Sequence, residues 1–375
     1  MSIDAGELPG AAGQVAGAAG ELAGAAGELP GAAGELAGAA GKLQSTAGQV
    51  PGAAGELSWH AGGRELESLD GSASVIARSP FQLFWRRFRQ DRLALVSLGF
   101  VVLLILVAVA APLVVKILGL PGPNVQNPNL TNAFGSPLGP SLAHPFGVDP
   151  LGEDVASRVI YGTRVALVVG IVGTGLATIL GVLVGMLAGF YRGFTDTVLS
   201  RLIDVVLAIP ILLLGLGLGD ACQVRGCFSG HVQSGLGVIV FLIVLVTWTY
   251  IARIVRGQVL SLRQREFIEA SRSMGASNAR IMLREILPNL IAPVVVYATL
   301  LIPQNILLEA ALSFLGVGVR PPTASWGQMI AAATPIFNTA WWYMAFPGIA
   351  LLLTVLAFNL LGDGLQDALN PRTVR

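Results

Sequence analysis

The sequence predicts an all-α, polytopic membrane protein with six transmembrane helices and a low-complexity N-terminal tail. Three observations predict it. Of the 375 residues, 54% are hydrophobic and 12% charged, where a soluble domain would carry about one quarter charged residues. The apolar residues fall in long uninterrupted runs, with a mean hydropathy of +0.71. Arginines crowd between alternate runs, as the loops on one side of a multi-span protein do. A net charge of +1 offers no global attraction for nucleic acid.

Residues 1–77 form the tail. From Gly10 to Ser58 it repeats every seven residues, as in GAAGQVA, GAAGELA and GAAGELP. One Val or Leu recurs per repeat (Val15, Leu22, Leu29, Leu36, Leu43, Val50, Leu57), whereas a coiled coil needs two apolar positions. Each glycine costs a helix roughly 1 kcal/mol, and Pro9, Pro30 and Pro51 about 3 each. The tail reads as disordered or weakly helical, the rival being an amphipathic helix of low affinity. Leu43 after Gly41-Lys42, and Leu36 where a glycine would stand, exclude a P-loop. The first residues, with Asp4 and Glu7 and no apolar core, do not read as a secretory signal.

Residues 78–120 hold an interfacial segment and the first span. In SPFQLFWRRFRQDR, aromatic residues alternate with Arg86, Arg87, Arg89 and Arg92, a pattern suited to the lipid headgroup layer. Six apolar runs can then cross roughly 30 Å of hydrocarbon at about 1.5 Å per residue. They are Leu93–Leu118, Val165–Phe190, Val198–Leu218, Leu236–Ile254, Leu290–Leu315 and Trp342–Leu361. Pro112, Pro210, Pro303 and Pro347 predict kinks. Gly170, Gly173, Gly181 and Gly185 predict close helix contact in the second span.

Orientation follows from the arginines. With the N-terminus inside, Arg192, Arg201, Arg256, Arg263, Arg265, Arg272, Arg280, Arg284, Arg372 and Arg375 join the first cluster on the inner face. The outer face keeps Lys116, Arg158, Arg164, Arg225 and Arg320. Both termini are therefore expected in the cytoplasm. Residues 121–163 become an extracytoplasmic loop rich in Pro, Asn and Gly, and residues 164–371 a five-helix core. Cys222 and Cys227 fall outside, where a local disulfide and two inert thiols are the alternatives. They lack the second ligand pair that zinc requires.

The polar stretch 265–288 interrupts two apolar runs. REFIEASRSM suits a helix, with Glu269 spaced to pair with Arg265 and Arg272. Gly275 is placed to end it and Ser277 to cap a second helix, with Pro288 bending the chain into the fifth span. The residues alone leave two readings open, a docking knob and a solvated hairpin.

EASRSMGASNARIMLREILPNL resembles the EAA loop of ABC importer permeases. Glu269, Ala270, Gly275, Ile286, Leu287 and Pro288 fit that pattern, with Ser271 in place of its second alanine and Glu285 where a histidine is frequent. HPFGVDPLGEDVASRVIYGTRVAL, RLIDVVLAIP, LLEAALSFLGVGVRPPTASWGQM and FPGIALLLTVLAFNLLGDGLQDALNP resemble the oligopeptide, dipeptide and nickel branch. Glu153 departs from an Arg usual there, and Asn370 from an Asp. The resemblance spans Ser79 to Arg375 and leaves the tail untouched. It implies a type I importer permease fold and a prokaryotic inner membrane. It also implies a second homologous permease in a heterodimer, two cytoplasmic ATPase subunits that hold ATP and Mg, and an external solute-binding protein. This chain then binds no cofactor of its own. Glu269, Ala270, Arg272, Gly275, Arg280, Arg284, Leu287 and Pro288 become candidates for coupling to the ATPase.

Within the fifth span, Glu309 reads either as a pathway or permease-interface group or as a hydrogen-bonded structural carboxylate. Gln304 and Asn305 are candidates to line the same path. Asp204 is expected to pair with Arg201, His144 to be structural, and Trp326 to anchor at the outer interface. A secondary transporter is disfavoured by the lack of a duplicated half, and an enzyme by the lack of a nucleophile or metal motif. Peptides are the expected cargo, with nickel or another small solute as the alternative.

Overall fold

The computed structural model describes residues 80–132, 136–225 and 235–369. The heptad tail, Cys227, Asn370 and the last arginines lie outside them. The regular elements among the described residues are helices, and the paired positions Thr131–Pro137 and Val148–Asp154 are isolated bridges. Among the described residues five helices are long and apolar enough to cross a membrane, and six spans result if the bent pair counts as one.

Helix α1 (Pro80–Phe88) is the expected basic and aromatic segment. The Arg89 guanidinium lies 4.8 Å above the Trp85 ring. Asp91 starts α2 (Arg92–Val109) by accepting the Leu93 and Ala94 N–H groups at 2.9 and 3.1 Å. The first span was expected to run to Leu118 with a kink at Pro112; it stops at Ala110 and resumes as α3 (Ala111–Ile117). Pro112 has no N–H for the carbonyl of Ala108. Arg164 supplies it instead, donating to the Ala108 carbonyl at 2.5 Å and to that of Val109 at 3.1 Å.

The second span begins well ahead of Val165. Asp154 accepts the Ser157 N–H at 2.7 Å and caps α4 (Val155–Leu167). A π turn over Val168–Gly173 joins α4 to α5 (Thr174–Tyr191), giving one helical run of 37 residues. Small residues on α5 bring it against α8 (Leu236–Leu262). A Cβ on Gly181, Gly185 or Gly189 would lie 2.6 Å from the Ile251 Cβ, 2.5 Å from the Ala252 carbonyl and 2.7 Å from the Val259 Cβ respectively. Backbone approach of this kind is how helices associate where burial from water supplies no drive.

The third span is broken rather than kinked. Helices α6 (Phe194–Ala208) and α7 (Ile211–Arg225) meet at 81°. Ile209, restricted by the proline that follows, is extended at φ −83° and ψ 122°. The fifth span differs from expectation in the opposite way. Helix α9 (Glu266–Ser273) is separate, but α10 (Asn278–Arg280), a π turn at Ile281–Ile286 and α11 (Leu287–Phe314) form one run of 37 residues. Pro288 does not part a second coupling helix from the span. It sits in the first turn after the widened π segment, where a missing N–H is tolerated. Helices α12 (Trp326–Ala333) and α13 (Trp341–Leu369) complete the chain.

At the end of the bundle away from α9, two tryptophans tie the loops together. Trp326 donates to the Val159 carbonyl at 3.0 Å, and Trp342 to that of Val148 at 3.1 Å. Trp326 is 2% exposed, so it is a core residue and not the expected interfacial anchor. Its ring fills the space over Gly162, where a Cβ would lie 2.7 Å from it. His144 Nδ1 lies 2.8 Å from Asp154 Oδ2, which makes that histidine a structural tether of the loop.

Candidate functional site

The elbow between α9 and α10 is built on a tight helix stop. Gly275 has φ +80°, a conformation that side chains with a Cβ resist. Its N–H donates to the Arg272 carbonyl at 3.0 Å, and that of Ala276 to the Ser271 carbonyl at 3.1 Å. These two bonds form a Schellman motif. Ser277 then caps α10, accepting the Arg280 N–H at 3.4 Å.

Ile268, Ile281 and Ile286 anchor the elbow from below and are fully buried with Met186, Val255 and Val259. Burying each such side chain stabilises by about 1.5–3 kcal/mol. The other face is open. Glu269, Ala270, Arg272, Gly275, Arg280, Arg284 and Pro288 are exposed, and Leu287 is half-buried. Between them stand three exposed apolar side chains, Phe267, Leu283 and Met274, the last 80% exposed. Composition alone did not single these out, because they alternate with charged residues in the sequence. Among the described residues no ion pair joins Glu269 to Arg265 or Arg272. Such exposed pairs gain about 0.3–0.5 kcal/mol, too little to hold two long side chains in one geometry.

The elbow's surroundings are basic. Arg263 donates to the Phe190 carbonyl at 2.8 Å. Burial first, then the like charges of Arg192 and Arg272, lower its pKa from the ordinary arginine value. Two ion pairs tie the broken third span to α8. Arg256 grips Asp196 with Nε at 2.5 Å and a terminal nitrogen at 2.9 Å. Asp204 was expected to pair with Arg201, which lies 4.0 Å away, but its closer partner is Arg253 at 2.8 Å.

The polar residues of α11 part company. Asn305 is buried between three helices, accepting from the Thr247 hydroxyl at 3.0 Å and donating to the Thr174 hydroxyl at 2.8 Å. Gln304, its neighbour about 100° round the helix, is exposed. Glu309 is 2% exposed and accepts on one oxygen from the Ser313 and Ser325 hydroxyls at 2.7 and 2.8 Å. The Ser313 oxygen accepts in turn from the Val319 N–H at 3.0 Å. Glu309 therefore staples the turn after α11 to the start of α12. Cys222 is buried on α7, and its expected partner Cys227 lies outside the described residues. No group of metal-ligating side chains occurs among the described residues.

A helical bundle with five to six candidate spans and a capped elbow between two of them is the framework of a multi-pass membrane protein. Similarity to known proteins narrows the class. Residues 181–375 match the family model described as binding-protein-dependent transport system inner membrane component, and residues 79–137 match the N-terminal TM domain of oligopeptide transport permease C. The glutathione transport system permease protein GsiD of Escherichia coli O6:K15:H31 (strain 536 / UPEC) is 41% identical over 299 residues, covering 79% of this chain and 91% of that protein. GsiD of Shigella boydii serotype 4 (strain Sb227) matches with the same figures. A solved chain of the inward-facing MetNI methionine ABC transporter aligns at 22% identity and a TM-score of 0.48, covering 57% of this chain and 96% of that one. This chain belongs to the family of binding-protein-dependent transport system inner membrane components. It is a multi-pass permease of an ABC importer, a transport component and not an enzyme.

Proposed function

We propose that this chain forms the translocation pathway for small peptides in an ATP-driven importer. An external solute-binding protein delivers the peptide. The chain pairs with a second, homologous permease, and two cytoplasmic ATPase subunits, which hold ATP and Mg, dock on the elbow. Both termini face the cytoplasm. Glu269, Arg272, Arg280 and Arg284 meet the ATPase surface, while Ala270, Gly275, Leu287 and Pro288 give the elbow its shape. On this topology Cys222 and Cys227 lie outside and form a local disulfide.

The observation that carries the reading is the elbow's two-sidedness. Three isoleucines bolt it to the bundle, while Phe267, Met274 and Leu283 lie exposed among arginines. Exposed apolar side chains interspersed with arginines suit a protein interface better than a solvated hairpin. Peptide cargo is supported by the match to the oligopeptide permease model and by relatives named for glutathione, itself a tripeptide. The test is uptake by cells expressing the full transporter, given dipeptides, longer peptides, glutathione and nickel in turn. Peptide uptake that requires the co-purifying ATPase supports the reading. Uptake of nickel alone, or uptake driven by an ion gradient without ATPase, overturns it.

A further inference from the structure

At the end of the bundle away from the elbow lies a cavity of about 500 Å³. Gln126, Asp149, Glu153, Arg158, Gln328 and Tyr343 line it. They come from the loop after α3, the first turn of α4, α12 and the start of α13. Asp149, Glu153 and Arg158 are each less than 5% exposed, so the structure has taken three charged groups out of water. Such burial is costly unless the charges are matched.

The matching is incomplete. Arg158 pairs with Glu153 and donates from the same nitrogen to the Pro123 carbonyl at 3.2 Å. Gln126 donates to the other Glu153 oxygen at 3.2 Å. Glu153 is thus neutralised, and Asp149 is not. One oxygen of Asp149 accepts the Leu151 and Glu153 N–H groups, both at 2.9 Å, the Tyr343 hydroxyl also hydrogen-bonds its carboxylate, and among the described residues no cation forms an ion pair with it. Burial above all raises its pKa to about 6, against the pull of those N–H groups and of Arg158. Beside it, two polar atoms are buried without a hydrogen-bond partner among the described residues, the Arg158 Nε–H donor and the Gln328 Oε1 acceptor.

An under-neutralised carboxylate and a vacant amide oxygen call for a cation that donates hydrogen bonds. A vacant N–H beside them calls for an acceptor on the same ligand. A peptide's amino end carries both, an ammonium followed by a carbonyl. We propose that this cavity binds a primary ammonium group, that of a peptide's amino terminus. Asp149 and the Gln328 oxygen take the ammonium, and the Arg158 Nε–H donates to the first carbonyl. The choice of peptide as the ligand rests on the transport reading above; the ammonium chemistry does not.

The test uses the intact permease–ATPase complex in lipid nanodiscs without the solute-binding protein. Saturation-transfer NMR titrates Ala-Ala-Ala, its N-acetylated form and ethylammonium. The free-amine peptide and ethylammonium are expected to bind saturably, and acetylation to weaken binding about tenfold, the scale of one lost charged hydrogen bond. Asp149→Asn is expected to weaken both amines similarly. Gln328→Leu, which leaves the charges in place, carries the same test if the first variant fails to assemble. Equal binding of acetylated and free peptide, or amine binding unchanged in the assembled variants, overturns the proposal. If peptide uptake is absent while ethylammonium still binds in an Asp149-dependent way, the cargo reading fails and the site stands. If peptides are imported but no amine binds, the site fails alone.

Discussion

The Asn305 amide donates to the Thr174 hydroxyl at 2.8 Å, across 131 positions of sequence, while its oxygen accepts from Thr247 at 3.0 Å. One side chain thereby joins α5, α8 and α11. Thr174 is also the first residue after the π turn of the second span, so the bond fixes the register at which α5 resumes. Asn305→Leu leaves two buried hydroxyls without this partner. It is expected to destabilise the bundle by about 1–2 kcal/mol, read as a lower thermal midpoint in detergent. An unchanged midpoint would show that the three helices hold together without the node.

Glu309 can be separated into charge and shape. Both serine hydroxyls donate to the same carboxylate oxygen, and a glutamine amide oxygen can accept both. Glu309→Gln should therefore keep the staple and retain uptake. Glu309→Leu strands both hydroxyls and should cost about 2–3 kcal/mol. Loss of uptake in a well-folded Glu309→Gln protein would instead assign the carboxylate charge to the transport cycle.

Asp149 makes stability depend on pH. Its pKa is raised from 3.8 to about 6, so the native state holds its proton to higher pH than the unfolded chain. Between about pH 4 and pH 6 the native protein binds more protons, and stability falls as pH rises through that window. The effect is on the order of 2–3 kcal/mol. Asp149→Asn should flatten the slope in thermal melts of the purified permease recorded at stepped pH. A wild-type midpoint that rises over this range would contradict the assignment.

These sites were unequally legible in the sequence. Apolar run length marked the spans, because roughly 20 greasy residues have few other uses. Prolines were misleading in both directions. Pro210 and Pro112 break helices that were expected only to kink, whereas Pro288 sits inside a run that was expected to bend. The difference lies in who takes the freed carbonyl, and Arg164, which serves Ala108, is a tertiary partner no local pattern reveals. Gly275 was readable as a helix stop from spacing alone. Asn305 was visible as a polar residue in a span, but Thr174 and Thr247 look like ordinary weakly polar helix residues until the fold brings them to it. Trp326 was misplaced for the same reason, since an aromatic near a span end reads alike whether it faces lipid or Gly162.

Gly275 offers the sharpest test of the elbow, because its two costs can be told apart. A Cβ added there meets nothing within 4 Å, so the chain itself leaves room for a side chain. The backbone is the obstacle: at φ +80° any L residue pays about 1–2 kcal/mol. Gly275→Ala and Gly275→Trp should therefore loosen the α9 stop to a similar degree, visible as matched increases in amide hydrogen exchange over residues 266–277. Their effects on transport should differ. The alanine variant should retain ATP-driven uptake at a reduced rate. The tryptophan side chain projects from an exposed position beside Met274 and should block seating of the ATPase, so that ATPase co-purification falls and uptake is lost while the permease still inserts. Equal uptake by the two variants would mean that no partner surface closes over residue 275, and the elbow would then be a solvated hairpin.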